Sequence, residues 1–403
     1  MNFGPEFFLI KPIYNAVLAN ISSRIFWVIP FYLEIFTIKY NNMKHFRMNG
    51  FNRKIPMLVV VAAVFIMFAG CSKGHDVPKL EIQTVATGLA GPMGVDVDHR
   101  GNIWVSESGS FRTPPDPKLG THNDNGKVVV ITKSGKQYDA IVNLETYQNV
   151  HSHQLQGTVH ILLDGNTLYV LSGDHLYMAN VSHWNPGDKP MDATSLPSEN
   201  VAAVISAIPS PNNPENDSHP YNLTKGPDGD LYISDAGANA IVHRKGPNNY
   251  SILAEIPAIP NPLFNGGAGI GGPFVQPVPT SIKFDGKDFL VTTLTGFPFP
   301  SGQAIVYRVS MSGQVSVYQK GFTMLVDQAE GHFSTHIVVQ FASSFSLATE
   351  YAPNSGALIW VNGTDSEVLA QGLNQPVGIK QVDSYTWYVT SLGDGSVLKV
   401  TYY

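Results

Sequence analysis

Glu107 and Asp235 occupy matching places in the chain. Each closes a short apolar run behind a glycine turn: Gly101-Asn102-Ile103-Trp104-Val105-Ser106-Glu107 and Gly229-Asp230-Leu231-Tyr232-Ile233-Ser234-Asp235. Asn222 lies on the run that leads into the second of these turns. Two carboxylates and an amide, brought from separate units to one axis, offer hard oxygens to Ca²⁺ or a similar divalent cation. A structural role is the alternative: Asp235 and Asn239 can bond nearby backbone and cap a strand end as an Asx-type turn. His151, His153 and His160 form a cluster that could hold zinc, yet no cysteine or acidic residue stands at a fitting spacing. Asp174-His175 reads either as an acid–base pair or as a turn. No Gly-x-Ser-x-Gly elbow, P-loop or His-Glu-x-x-His motif occurs, so the common hydrolase and nucleotide signatures are missing. The glycine-rich run 266–272 follows no strand of a βαβ unit and reads as a flexible loop.

These residues need a frame that brings distant segments together, and the composition indicates which. The chain has 403 residues, only 14% charged, with 37 Gly and 28 Pro, which suits a turn-rich β protein. A net charge of −6, with no run of Lys or Arg, argues against a nucleic-acid partner. Gly226-Pro227-Asp228-Gly229 is a tight turn between two short apolar strands, and the motif recurs. Gly101, Gly165, Gly229 and Gly286 each open such a strand, about 60 residues apart. A degenerate copy at residues 335–343 and a last one at 385–390 make six. Six such units predict an all-β fold, a six-bladed β-propeller over residues 80–403, with the excess length in loops 109–126, 143–157, 182–218 and 258–277. A β-sandwich, the main rival, does not suit six similar units.

The sixth unit stops at Tyr403 one strand short, while residues 80–86 form a strand without a blade. The N-terminal strand is therefore expected to complete the last blade and leave no open edge. In a propeller the start of each innermost strand and the loop after the second strand share one face. That arrangement would gather Glu107, His160, Asn222, Asp235, Asn239, Thr280 and Thr295 around one concavity, as a ligand site. Phe297-Pro298-Phe299-Pro300 is stiff, because each proline fixes φ and restrains its predecessor. It could plug the channel mouth or grip an apolar ligand.

The first 79 residues read differently. Residues 1–47 read as a mis-called start or an unstructured leader. From Met48 a basic head, an uncharged apolar run and Phe68-Ala69-Gly70-Cys71 follow the secretory pattern, with residues 72–79 as a tether. Cys71, the single cysteine, resembles the lipid-bearing residue of a bacterial lipoprotein; an uncleaved anchor is the alternative. The expected location is the bacterial cell envelope, with the chain exported, membrane-anchored and monomeric.

Asp235-Ala236-Gly237-Ala238-Asn239-Ala240 and Thr295-Gly296-Phe297-Pro298-Phe299-Pro300 closely resemble the ScyD/ScyE family of secreted β-propellers. The resemblance runs from about Thr84 to Val400 and is strongest in the third and fourth units. Pro92-Met93-Gly94-Val95 is shared more widely with NHL-like propellers. The fifth unit departs, with Gly331-His332-Phe333 in place of the usual Asp-Gly turn. The resemblance implies fold and export, and little about activity, because fold does not fix function. The expected role is binding of a small molecule or an envelope protein. The alternative is a divalent-metal lactonase of the gluconolactonase type, with Glu107, Asn222 and Asp235 as ligands. A quinoprotein sugar dehydrogenase would need a basic and histidine set that the chain does not clearly supply.

Overall fold

The computed structural model describes residues 80–109, 121–148, 155–266, 269–332 and 335–403. The leader, Cys71, His151 and His153 lie outside them. Six antiparallel sheets stand radially about one axis, forming a six-bladed β-propeller. Their innermost strands are Pro92–Val97, Thr158–Asp164, Pro220–Lys225, Pro279–Phe284, Leu325–Glu330 and Pro376–Asp383. The glycine turns lie where the repeat places them, so second strands such as Ile103–Glu107, Leu231–Asp235 and Phe289–Thr293 follow. In the fifth blade the second strand is His336–Gln340, within the degenerate copy.

Alternate side chains of each strand point to opposite sheet faces, so every blade must bury both faces against its neighbours. Apolar clusters accordingly fill the spaces between adjacent blades. Trp104, Val128 and Leu144 of the first blade meet Ile161, Leu168 and Val170 of the second. Tyr232 and Ile241 of the third meet Phe289 and Val291 of the fourth. Trp387 and Val389 of the sixth meet Val339 and Leu358 of the fifth.

Ring closure follows the expected plan. Leu80–Thr87 pairs antiparallel with Ser396–Tyr402, from Leu80↔Tyr402 to Thr87↔Ser396, as the outer strand of the sixth blade. The loop reading needs amending: the strands Thr121–Ile131 and Gln137–Gln148 run into 109–126 and 143–157, Ile259–Pro260 pairs with Phe274–Val275 inside 258–277, and the largest change is at 182–218. That segment holds the outer strand of the second blade, Ser198–Asn200, and a short helix, Val201–Ser206, whose first turn is capped by the Asn200 side chain.

Every inner strand shifts register near its second residue, as between Pro220/Asn222, Pro279/Ser281 and Leu325/Asp327. Such a bulge leaves a backbone group outside the ladder, and in several blades a hydroxyl from the second strand takes it up. The Gly94 N–H donates to Ser106 Oγ at 2.8 Å, and the Gly378 N–H to Thr390 Oγ1 at 2.7 Å. Glycine is required where blades crowd the axis: a Cβ on Gly94 would sit 2.9 Å from His160 Cα. On Gly378 it would sit 2.3 Å from the Met93 carbonyl oxygen.

Candidate functional site: the channel mouth

The bulge sorts the inner-strand side chains into two tiers. Second residues, Met93, Tyr221, Thr280, Val326 and Val377, line a cavity of about 280 Å³ at the mouth of the channel. Third residues form a ring below: Gly94, His160, Asn222, Ser281, Asp327 and Gly378. With glycine on two sides, longer side chains cross the axis and close it. Asp327 reaches over to accept from Asn222 Nδ2 at 3.1 Å and from the Ile379 N–H of the next blade at 2.9 Å. It also accepts from the Gln328 N–H at 2.9 Å, and His160 Nε2 lies 3.7 Å away.

The register confirms that strand starts and second-strand ends share a face: Pro92 pairs with Glu107, Pro220 with Asp235, and Pro279 with Thr293. On that face the residues singled out by sequence serve different neighbourhoods. Asp235 is wholly buried and accepts from Ser218 Oγ at 2.5 Å and from the N–H groups of His219 and Ala238 at 2.7 and 2.9 Å. Burial pushes its carboxyl up and these three donors pull it back. This is the capping geometry, and it shapes the loop that delivers His219 to the cavity wall. Asn239, in the left-handed region at φ 54°, accepts from the Val278 N–H at 3.1 Å and so ties the third blade to the fourth. Thr280 Oγ1 donates to the Leu325 carbonyl at 2.8 Å, tying the fourth to the fifth.

Glu107 is buried in the first blade, with Lys127 Nζ 3.5 Å from its Oε2. Burial raises its carboxyl and Lys127 opposes this. Asn222 spends its amide on Asp327. Glu107, Asn222 and Asp235 therefore each hold a protein partner of their own. A divalent cation shared by them would have to displace a lysine and several hydrogen-bond donors. The set does not fit such an ion. Among the described residues, the one trio of acidic and histidine side chains with ligating atoms within 4.8 Å is Asp228, Asp230 and His243. It belongs to the glycine-turn end of the third blade, away from the mouth. At the mouth side of the second blade, His175 Nδ1 lies 3.4 Å from Glu145 Oε2, which raises the imidazole. Asp174 beside it is pushed up, by burial first and then by Glu145.

The cavity wall is mostly apolar: Leu294, Val278, Val326, Phe341 and Val377, with His219, Tyr221 and Tyr351 as polar handles. Burial pushes His219 down toward the neutral form, against the pull of Asp217 and Asp174. Burial and then Asp327 push the Tyr221 phenol up. Phe297 and Phe299 neither plug the channel nor line it. Phe299 stands behind Tyr351, ring centroids 5.8 Å apart, and both pack on Phe345. The aromatic loop thus braces the fifth-blade insertion that supplies Tyr351. Strain gathers at the same rim. Val278 (φ 53°) and Thr295 (φ 70°) are β-branched residues in the left-handed region, a conformation that costs about 1–3 kcal/mol each and recurs at functional sites. Thr295 is buried, and its Oγ1 has no hydrogen-bond partner.

Much of the wall escaped the sequence reading, His219, Val326, Phe341 and Tyr351 included, and so did Asp327 in the tier below. Asp327 lies in the one inner strand whose blade lacks the regular turn, and Tyr351 in an insertion with no repeat. Aligning the six inner strands on their third residue would have found Asp327, beneath His160 and Asn222.

Fold and mouth define the class: a six-bladed β-propeller whose axial channel is closed below a cavity open at one end. No protein-family model and no curated protein matches the chain. Solved structures that it resembles include aldose sugar dehydrogenase from Streptomyces coelicolor in its PQQ-bound form (12% identity, TM-score 0.49, 81% of this chain and 98% of that one). Others are virginiamycin B lyase from Staphylococcus aureus (14%, 0.43, 80% and 99%) and a protein of unknown function from Bacteroides thetaiotaomicron (8%, 0.49, 81% and 76%). These likenesses are of fold and carry no activity across.

Proposed function

We propose that the protein is a lipid-anchored, extracytoplasmic propeller of the ScyD/ScyE family that binds a small, largely apolar molecule at its channel mouth. One observation carries the binding reading: a cavity of about 280 Å³ with a mostly apolar wall and a few polar side chains, with strained backbone at Val278 and Thr295 on its fourth-blade side. Ligand pockets have this make-up, and the volume suits a molecule of one or two fused rings. Fluorescence titration with 2-naphthalenemethanol tests it. The wild type binds, and Val377→Trp, which fills the cavity, weakens binding at least about tenfold. Equal affinity in a folded variant would refute the site.

The anchor rests on the run from Met48 to Cys71, its only cysteine standing where a lipoprotein carries its lipid. Cys71→Ser is expected to leave the membrane fraction; unchanged fractionation would contradict lipidation.

A further inference from the structure

Resting on the reading of the mouth as a ligand site, we propose that its ligand is a neutral alcohol whose hydroxyl donates to the His219 imidazole and accepts from the Tyr221 hydroxyl. The wall itself sets the charge. No Asp, Glu, Lys or Arg lines the cavity among the described residues. A charged ligand would leave water for an apolar wall with no opposite charge to meet it, and that transfer is costly. An uncharged body against Leu294, Val326, Phe341 and Val377 meets no such penalty.

The polar groups of the wall are not alike. Ser108 Oγ donates to the Thr158 carbonyl at 2.8 Å, and Thr280 Oγ1 to the Leu325 carbonyl. Tyr351 stands among the rings of Phe299, Phe341 and Phe345. His219 and Tyr221 differ from these. Among the described residues, neither the imidazole nitrogens nor the Tyr221 hydroxyl makes a hydrogen bond. Their rings meet edge to face, centroids 6.1 Å apart, so both groups serve one stretch of the wall. The imidazole is held through its backbone: the His219 N–H donates to Asp235 Oδ1 at 2.7 Å, and its carbonyl accepts from the Ala236 N–H at 2.9 Å. The ring is thus positioned with its nitrogens still available.

The two groups have complementary roles. Burial pushes His219 down toward the neutral imidazole, which presents one acceptor nitrogen. Burial, and then the Asp327 charge, push the Tyr221 phenol up, so it keeps its proton and donates. A single hydroxyl answers both at one oxygen, donating its proton to the imidazole and accepting from the phenol. A ligand that covers the pair without bonding to it leaves both groups desolvated and unpaired. Sites of this kind discriminate against analogues that lack the hydroxyl.

Isothermal titration of the whole protein with 2-naphthalenemethanol, its methyl ether and 2-naphthoate at neutral pH tests this. The alcohol is expected to bind at least about tenfold more tightly than the ether, which accepts but cannot donate, and naphthoate least. In His219→Phe the alcohol-to-ether ratio is expected to fall to about one. Tyr221→Phe should weaken alcohol and ether alike, by about fivefold, and keep their ratio. An ether or naphthoate that binds the wild type as tightly as the alcohol overturns the proposal while leaving the site standing. A ratio kept in His219→Phe does the same, since the preference would then come from the ether's bulk, and so does an alcohol affinity unchanged in Tyr221→Phe. Should His219→Phe fail to fold, the wild-type order and Tyr221→Phe decide. If none of the three binds, both the alcohol proposal and the site reading fall.

Discussion

Asp235→Ala is expected to destabilise the protein by about 3–5 kcal/mol, read as a fall in the calorimetric midpoint. The carboxylate is buried and collects one hydroxyl and two backbone N–H groups. Alanine leaves the His219 and Ala238 N–H groups enclosed without acceptors, and each such group costs about 1–3 kcal/mol. Asp235→Asn keeps one acceptor oxygen and should lose about half as much. Because the donors are the protein's own, EDTA or Ca²⁺ should leave the wild-type midpoint unchanged. A midpoint that falls with EDTA in the wild type but not in Asp235→Ala would mean that Asp235 holds a metal after all.

Deleting Leu80–Thr87 is the second large effect. Most side chains of this strand face solvent; Ala86 is its buried residue. Its contribution is therefore the backbone ladder to Ser396–Tyr402 and the closure of the ring. Several ladder bonds at about 0.5–1 kcal/mol each amount to about 4 kcal/mol. The deletion also bares the edge of Ser396–Tyr402, a template for pairing between molecules. Denaturant unfolding should show the loss, and light scattering should show association. An unchanged midpoint would mean that the sixth blade stands as three strands and that the ring does not depend on this clasp.

Most of the architecture could be read from turn chemistry. A glycine at positive φ, as at Gly101, Gly165, Gly229 and Gly286, marks where one strand ends and the next begins. A strand without a blade at residues 80–86 and a sixth unit one strand short implied the closure. The parts that resisted reading share a physical cause: they are short or set by tertiary contact. Ser198–Asn200 is three residues long and the helix beside it six, too few for either period to declare itself. The site was legible as a face and not as a set of contacts. Glu107, Asn222 and Asp235 do belong to strands on that face, yet which donors meet them depends on loops from other blades. Asp327 contacts three blades through one side chain, and no local pattern encodes that.

The most direct test of the mouth as a binding site is a crystal structure with 2-naphthalenemethanol. Density for the naphthyl ring between Tyr221, Phe341 and Val377, above Asp327, is the predicted result. Density only on the outer rim, against the half-exposed Phe297 or the exposed Leu347, with an empty mouth, would contradict it.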